Sequence, residues 1–346
     1  MDESALLAGF VPGLPQHDGV LLGPGDDSAV VAATDGRLTV STDILVEGVH
    51  FRRAWSSPFD LGWRLAAQNL ADAAAMGAAP KYLVAALSGP PDSLTPAFLN
   101  QFAAGLAGFC DRHGTAVVGG DLSAGPQLTL CATVLGDLAG RPPVTRSGAR
   151  PGDIVALHDA APAGSPNPAP WRPPQCPTHG SPPPGRLGRS AAGLACLTAG
   201  LNPADLAPDS VEAAAISGYL RPDPDIGQGR LAALAGATAM LDVSDSLTLD
   251  AERLAQASGV QIWLDSEAAP IQAALDQLAP LAARLGAQAT GWVWGGGEDH
   301  ALLATFPAEA PLPEGWSGIG QVREAGETGP GVDGPVVSGW DHLAPS

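Results

Sequence analysis

The residues best able to do chemistry in this chain are acids set beside glycines or small hydroxyls. They are Gly25-Asp26-Asp27, Ser41-Thr42-Asp43, Asp72, Gly119-Gly120-Asp121, Asp242-Val243-Ser244-Asp245 and Gly295-Gly296-Gly297-Glu298-Asp299. Carboxylate and hydroxyl oxygens suit Mg2+, and glycine lets a phosphate approach the backbone closely. Acids scattered along the chain but sharing that context point to chemistry on a nucleoside triphosphate. Lys81 is the only lysine, so the phosphate-binding pattern G-x-x-x-x-G-K-[ST] cannot occur and a protein-kinase lysine set is absent. Phosphate charge then falls to metal ions on the acids, to arginines such as Arg146, and to backbone amides.

Each segment also has a plain structural alternative. Gly25-Asp26-Asp27 reads equally as a surface turn. Ser41-Thr42-Asp43 is expected to close an apolar strand, where it completes a Mg2+ shell or forms an Asx turn. His50, in Glu47-Gly48-Val49-His50-Phe51, is placed to meet an anionic substrate or to serve as a satisfied structural residue. Asp72 lies within an alanine-rich helix, where a bound cation or solvent exposure accounts for its charge. Gly119-Gly120-Asp121 is expected at the carboxyl end of a strand, where open α/β sheets place ligands. Arg146 offers a fork of donors to phosphate or makes a surface ion pair. Asp242 and Asp245, with Ser244 between, close a strand before a helix near Leu247; capping by Ser244 or Asp245 explains one acid but hardly both. Gly295-Gly296-Gly297 reads as a flexible hinge before Glu298, which can accept hydrogen bonds from an amino-bearing substrate.

These residues need a scaffold, and the chain alternates apolar strands with alanine-rich helices, the mark of an α/β (α+β) architecture. Strands are expected at 38–41, 82–87, 116–118 and 128–135. Ser57-Pro58 opens a helix that Gly77 ends, placing Asn69 and Asp72 three apart on one side, and a second helix runs from about Thr95 to His113. Prolines crowd 160–187, which reads as an irregular or disordered insertion. Beyond it, helices are expected at 190–199, 226–234, 247–258 and 271–285, and strands at 239–241, 260–264, 301–306 and 318–322. The length, 346 residues, suits two domains, expected at 1–150 and 151–346.

The formal net charge of −19 argues against nucleic acid and anionic membranes as partners. The cysteines show no C-x-x-C spacing and the histidines no H-E-x-x-H, so a zinc site is not expected and reduced thiols are. Met1-Asp2-Glu3-Ser4 is acidic where a secretory signal would be basic, and no apolar run reaches the length of a spanning helix; a cytoplasmic location is the expectation.

The succession GPGDDSAVV, STDILVEGVHF, NLADAAAMGA, GGDLSAG, TRSGARPGD, GRSAAGL, LRPDP, DVSDSL, GGGEDHALL and GWDHL resembles the thiamine-monophosphate kinase family, within the ATP-binding superfamily of aminoimidazole ribonucleotide synthetase. The likeness covers about Gly23 to Leu343, omitting the insertion. It implies a two-domain fold: an N-terminal mixed sheet with helices that binds ATP and metal and forms a homodimer, and a C-terminal α/β domain, with the active site between domains. It further implies direct phosphorylation of thiamine monophosphate by ATP with several Mg2+ ions and no phosphoenzyme. By that resemblance Asp27, Ser41, Thr42, Asp43, Asp72, Asp121, Asp242 and Asp245 hold the metals. Gly120, Asp121, Arg146 and Ser244 meet the nucleotide, and His50, Glu298 and Trp340 contact the thiamine phosphate.

Three departures stand out. Ser246 replaces the glycine of the usual D-x-S-D-G-L, His300 replaces the tyrosine of G-G-E-D-Y, and Arg186-Leu187-Gly188-Arg189 stands in for the customary T-G-x-L-G loop. The rival readings are another phosphotransferase or synthetase of the superfamily and a non-catalytic nucleotide-binding protein.

Overall fold

The computed structural model describes residues 7, 9–24, 28–159, 185–327, 329–335 and 337. Asp27, Trp340 and residues 160–184 of the proline-rich insertion lie outside them. The chain divides into two compact units, one containing the segments up to Ala74 and Ala78–Pro142, the other Ala75–Gly77 and the chain from Pro143 onward.

The first unit begins with a small antiparallel pair, β1 (Val20–Leu22) and β2 (Val30–Val31). Its main sheet is built from β3 (Thr39–Val46), β4 (Ala79–Gly89), β5 (Ala116–Ala124) and β6 (Thr129–Asp137) in the order β3-β6-β4-β5. β6 pairs antiparallel with β3 and β4, and β4 and β5 are parallel, so the sheet is mixed. The parallel pair requires a crossover, supplied by α2 (Pro96–Arg112). Thr95 caps that helix, accepting the Phe98 amide, and His113 ends it, as the sequence indicates.

α1 (Pro58–Ala75) starts on a reciprocal pair: Asp60 N–H donates to Ser57 Oγ at 3.2 Å, and Ser57 N–H to Asp60 Oδ2 at 2.8 Å. From Asp60 to Ala75 every residue is buried except Asp72, which is half-buried. A helix buried on all sides must be covered on all sides. α2 covers one side at very close range: a Cβ on Gly62 would lie 2.0 Å from the Phe102 carbonyl oxygen, and one on Gly105 2.0 Å from that of Phe59.

Two strand boundaries differ from expectation. Ser41-Thr42-Asp43 lies inside β3, not at its end, because β3 stays paired with β6 from Thr39 through Val46. Gly119-Gly120-Asp121 likewise lies inside β5, whose ladder with β4 continues to Ala124. Continuous backbone pairing carries both strands past their polar residues. The sheet face opposite α1 is covered at one end, where Val20, Ala29 and Val31 pack with Tyr82, Ala116 and Leu135, and open beyond it: Val40, Ile44 and Val84 are 64%, 48% and 36% exposed.

The second unit is organised on β7 (Ile154–His158), β8 (Ala239–Val243), β9 (Val260–Leu264), β10 (Ala301–Phe306), β11 (Ser317–Glu324) and β12 (Gly331–Asp333), in the order β12-β9-β11-β7-β10-β8. Only the β12–β9 contact is parallel. Its helices are α3 (Arg189–Thr198), α4 (Val211–Leu220), α5 (Gly227–Leu234), α6 (Leu247–Ser258), α7 (Ala269–Leu285) and α8 (Ala289–Gly295). The sequence reading misses β7, β12, α4 and α8. β7, buried nearly throughout, shows no alternation to read, and α4 is apolar without a polar stripe. Val144 packs with Ala156, Met240, Leu302 and Phe306 in this unit's core.

The α1–α2 contact yields a stability prediction. Gly105→Ala drives a methyl into the Phe59 carbonyl and costs about 1–3 kcal/mol or more. The expected drop in Tm is several degrees; a Tm within one degree of wild type would contradict the close contact.

Candidate active site

In the first unit the functional side chains gather between β3 and α1. Side chains alternate along β3, and the burial pattern sets Ser41, Asp43 and Leu45 toward the helix and Val40, Thr42 and Ile44 outward. Ser41 Oγ donates to Asp72 Oδ2 at 2.5 Å, and the Asp43 amide to Asn69 Oδ1 at 3.3 Å. Asn69 is fully buried, its Nδ2 anchored on the Leu65 carbonyl at 2.8 Å. The i, i+3 spacing of Asn69 and Asp72 thus turns both toward β3, and Asp72 is neither a solvated surface acid nor an unpaired core charge.

Thr42 is not part of that group. Its Oγ1 lies 2.8 Å from Thr133 Oγ1, its cross-strand partner on the outward face. Gly120 stands in the row Asp43–Ala132–Ala85–Gly120, and Asp121, exposed, in the next row with Ala86. β3 and β5 form opposite edges of the sheet, so the backbones of Asp43 and Asp121 are roughly 14 Å apart by three strand spacings. A Cβ on Gly120 would meet the Ala85 carbonyl oxygen at 2.0 Å, so only glycine lets β5 close on β4 here.

His50 follows β3 in a turn. The Val46 amide donates to its Nδ1 at 3.0 Å, and Arg64 Nη1 donates to its carbonyl at 3.0 Å. With Nδ1 accepting, the imidazole proton resides on Nε2, which makes that nitrogen a donor. The structural and functional readings of His50 therefore apply to different ring nitrogens.

In the second unit the antiparallel pairing of β8 with β10 sets the end of one strand beside the start of the other. This brings Asp242, Ser244 and Asp245 against Glu298, Asp299 and His300. Glu298 N–H donates to the Ser244 carbonyl at 2.7 Å and His300 N–H to that of Val243 at 3.0 Å; His300 Nδ1 lies 3.2 Å from Asp242 Oδ2. Gly295-Gly296-Gly297 is no flexible hinge: a Cβ on Gly297 would stand 2.4 Å from the Ser244 carbonyl oxygen, and one on Gly296 2.3 Å from that of Trp292. The glycines permit close packing, and Glu298 and His300 follow with φ of 65° and 50°. Arg146 is exposed, its carbonyl accepting from Ser258 Oγ at 2.7 Å.

Two acids hold these loops: Asp250, to which the sequence reading assigns no role, and Asp299, which it counts only among the acids of the 295–299 segment. Asp250 Oδ2 accepts the amides of Ser244, Asp245 and Ser246 at 3.0, 2.9 and 3.1 Å. Burial pushes its carboxyl up to about 6 against those bonds. Asp299 accepts the Gly188 amide at 2.6 Å and the Ser190 amide at 3.0 Å, fastening the start of α3 to the Gly-Glu-Asp loop. Burial raises its carboxyl to about 7, again opposed by the two amides. An acid in the first turn of α6 was a visible signal for Asp250; the partner of Asp299, more than a hundred residues away, left no local trace. The helix cap is neither Ser244 nor Asp245 but Ser246, whose Oγ accepts the Leu249 amide at 3.1 Å. Asp242 and Asp245 do not cap the helix; they meet His300 and Arg253.

Three comparisons bear on this arrangement. The model of the AIR synthase related protein N-terminal domain matches residues 25–138. The thiamine-monophosphate kinase of Mycobacterium tuberculosis (strain CDC 1551 / Oshkosh) is 40% identical over 344 residues, covering 98% of this chain and 90% of that protein. The chain belongs to the thiamine-monophosphate kinase family. Among solved structures, the thiamine-monophosphate kinase of Stenotrophomonas maltophilia K279a superposes with a TM-score of 0.73 at 29% identity, covering 95% of this chain and 94% of that one. AaThiL complexed with AMPPCP and TMP gives 0.74 at 31% identity, covering 92% and 91%.

Within the thiamine-monophosphate kinase pattern, the two single-residue departures now have a local setting. Ser246 has φ 153° and ψ 157°, a conformation favouring glycine, held by its cap bond and by Asp250. His300 turns its ring onto Asp242, where the usual tyrosine would present a hydroxyl.

Asp299 predicts a pH dependence. Its carboxyl titrates near 7 in the folded chain against 3.8 for an ordinary aspartate. The folded state therefore holds a proton that the unfolded state releases, and stability falls as pH rises from about 4 to about 7. Asp299→Asn should flatten that slope in urea melts; an unchanged slope would mean another group carries it.

Proposed function

We propose that this chain transfers the γ-phosphoryl group of ATP directly to thiamine monophosphate, forming thiamine diphosphate and ADP. The observation that carries the proposal is the convergence of Asp242, Ser244, Asp245 and Glu298 at the β8–β10 end, locked by backbone hydrogen bonds. By the family pattern these same residues serve metal, nucleotide and substrate. The complex of AaThiL with AMPPCP and TMP supports this choice of substrates.

The donors are all hard oxygens, which fits Mg2+. Among the described residues no three histidines, cysteines or acids converge into a closed metal cage. Mg2+ does not require one, since it is commonly held by one or two carboxylates with water and substrate phosphate completing its shell. Asp27, Ser41, Thr42, Asp43, Asp72, Asp121, Asp242 and Asp245 are the proposed ligands. When bound, the ions neutralise phosphate charge that this chain, with its single lysine, has few cations to meet.

An oxygen of the thiamine phosphate, anionic near neutral pH, attacks the γ-phosphorus in line as the bond to the β,γ-bridging oxygen breaks. No nucleophile from the chain and no general base are needed. His50 presents Nε2–H to the substrate phosphate, Gly120 and Ser244 bring their backbone to the nucleotide, and Arg146 adds a guanidinium there. Glu298 accepts from the aminopyrimidine and Trp340 stacks on a ring. The first 150 residues carry most of the metal and nucleotide ligands and the dimer surface.

The open sheet face supports a homodimer, because exposed Val40, Ile44 and Val84 form an apolar surface suited to a second copy. Among the described residues no helix is long and apolar enough to cross a membrane; with the thiols read as reduced, a cytoplasmic enzyme is the proposal.

Purified protein given ATP, Mg2+ and thiamine monophosphate should yield thiamine diphosphate and ADP; folded protein that forms no diphosphate would end the proposal. Asp43→Asn and Asp121→Asn should each lower turnover about a hundredfold or more without lowering Tm, and wild-type rates in both would contradict the metal assignment. Ile44→Glu should convert a dimer to monomers by light scattering; a wild-type monomer or an unaffected dimer would show that this face does not pair.

A further inference from the structure

The Asp245 carboxylate, a metal ligand in the proposed function on which this inference rests, already has a cation against it. Arg253 Nη1 donates to Asp245 Oδ2 and, at 2.7 Å, to Asp250 Oδ1. The Asp250 side chain is 2% exposed, and its second oxygen is held by the three amides of the Ser244–Ser246 turn. Asp250 is therefore a fixed anchor. Asp245 is a side chain at the rim of the same turn, 10% exposed, and Arg253 reaches it from α6 with 37% of its own side chain in solvent.

Bridging in this way leaves the three side chains with one net negative charge, where the two carboxylates alone would carry two. A divalent ion approaching Asp245 meets an oxygen already used by a guanidinium and a like charge within a few ångströms. Nothing in the family motifs quoted above includes position 253; the bridge is visible only because one turn of α6 separates Asp250 from Arg253.

We propose that Arg253 is a built-in competitor for the divalent cation at Asp245. It halves the turn's negative charge before the nucleotide arrives and weakens metal binding at that ligand. Asp250 retains the guanidinium when Asp245 turns to the ion, so Arg253 does not have to leave the turn. Arg253 is thus a positioning residue that acts through Asp245 and sets the metal concentration at which the second unit's loop is loaded.

Binding of Mn2+ alone to the full chain, followed by electron paramagnetic resonance, tests this without reference to turnover. Arg253→Gln removes the charge and should tighten one Mn2+ site about tenfold, the scale of a unit charge removed a few ångströms from an ion in a partly solvated setting. Arg253→Lys keeps the charge and should bind Mn2+ as wild type does. If Arg253→Gln does not fold, Arg253→Met, which keeps the aliphatic stem and removes the charge, is measured in the same way. Unchanged or weaker Mn2+ binding in a folded charge-removed variant overturns the competition. Asp245→Asn should lose one bound Mn2+. A full complement in that variant shows that Asp245 is no ligand, which overturns the metal assignment itself and the competition with it, an outcome distinct from failure of Arg253→Gln alone.

Discussion

An ionised carboxylate can leave water only where donors or a cation meet it, and that requirement organises both units of this protein. Asp72, the single half-buried position in an otherwise buried stretch of helix, takes the Ser41 hydroxyl. Asp250 gathers three amides from one turn, and Asp299 takes two from the start of a helix. The donors are backbone amides and a hydroxyl, joined at Asp250 by the Arg253 guanidinium.

The acids divide by what surrounds them. Asp250 and Asp299 accept backbone amides, Asp250 giving its other oxygen to Arg253, and burial raises both. They act as fasteners that shape loops. Asp242 and Asp245 lie beside them in the same loops but face a histidine and an arginine. Within the proposed function, a carboxylate fixed by amides holds the loop and leaves its neighbour to serve the ion, the arrangement expected of a preorganised site.

Much of the scaffold was legible because its signals are local. Ser57-Pro58 and Gly77 bracket α1, Thr95 and His113 bracket α2, and β9 and β10 match their expected bounds, since caps, proline and apolar runs act within a few residues. The spacing of Asn69 and Asp72 correctly placed both on one side of a helix. Other features were misread for a common reason. The polar residues of β3 and β5 looked like strand ends because ladder pairing with β6 and β4 cannot be seen from one strand. The three glycines looked like a hinge because the carbonyl that excludes a side chain from Gly297 belongs to Ser244.

The sequence by itself determined the chemistry: oxygen donors in a fixed order, no lysine to serve phosphate, and motifs sufficient to indicate the family. These depend on residue type and order, which the chain states outright. Only the tertiary structure decided which acids fasten loops through backbone amides and which meet a histidine or an arginine instead. It separated Thr42 from Ser41 and Asp43, set Asp43 and Asp121 on opposite sheet edges, and placed Arg253 on Asp245. Such distinctions depend on burial and on partners distant in sequence, and a carboxylate acquires its role only when folding chooses what will meet its oxygens.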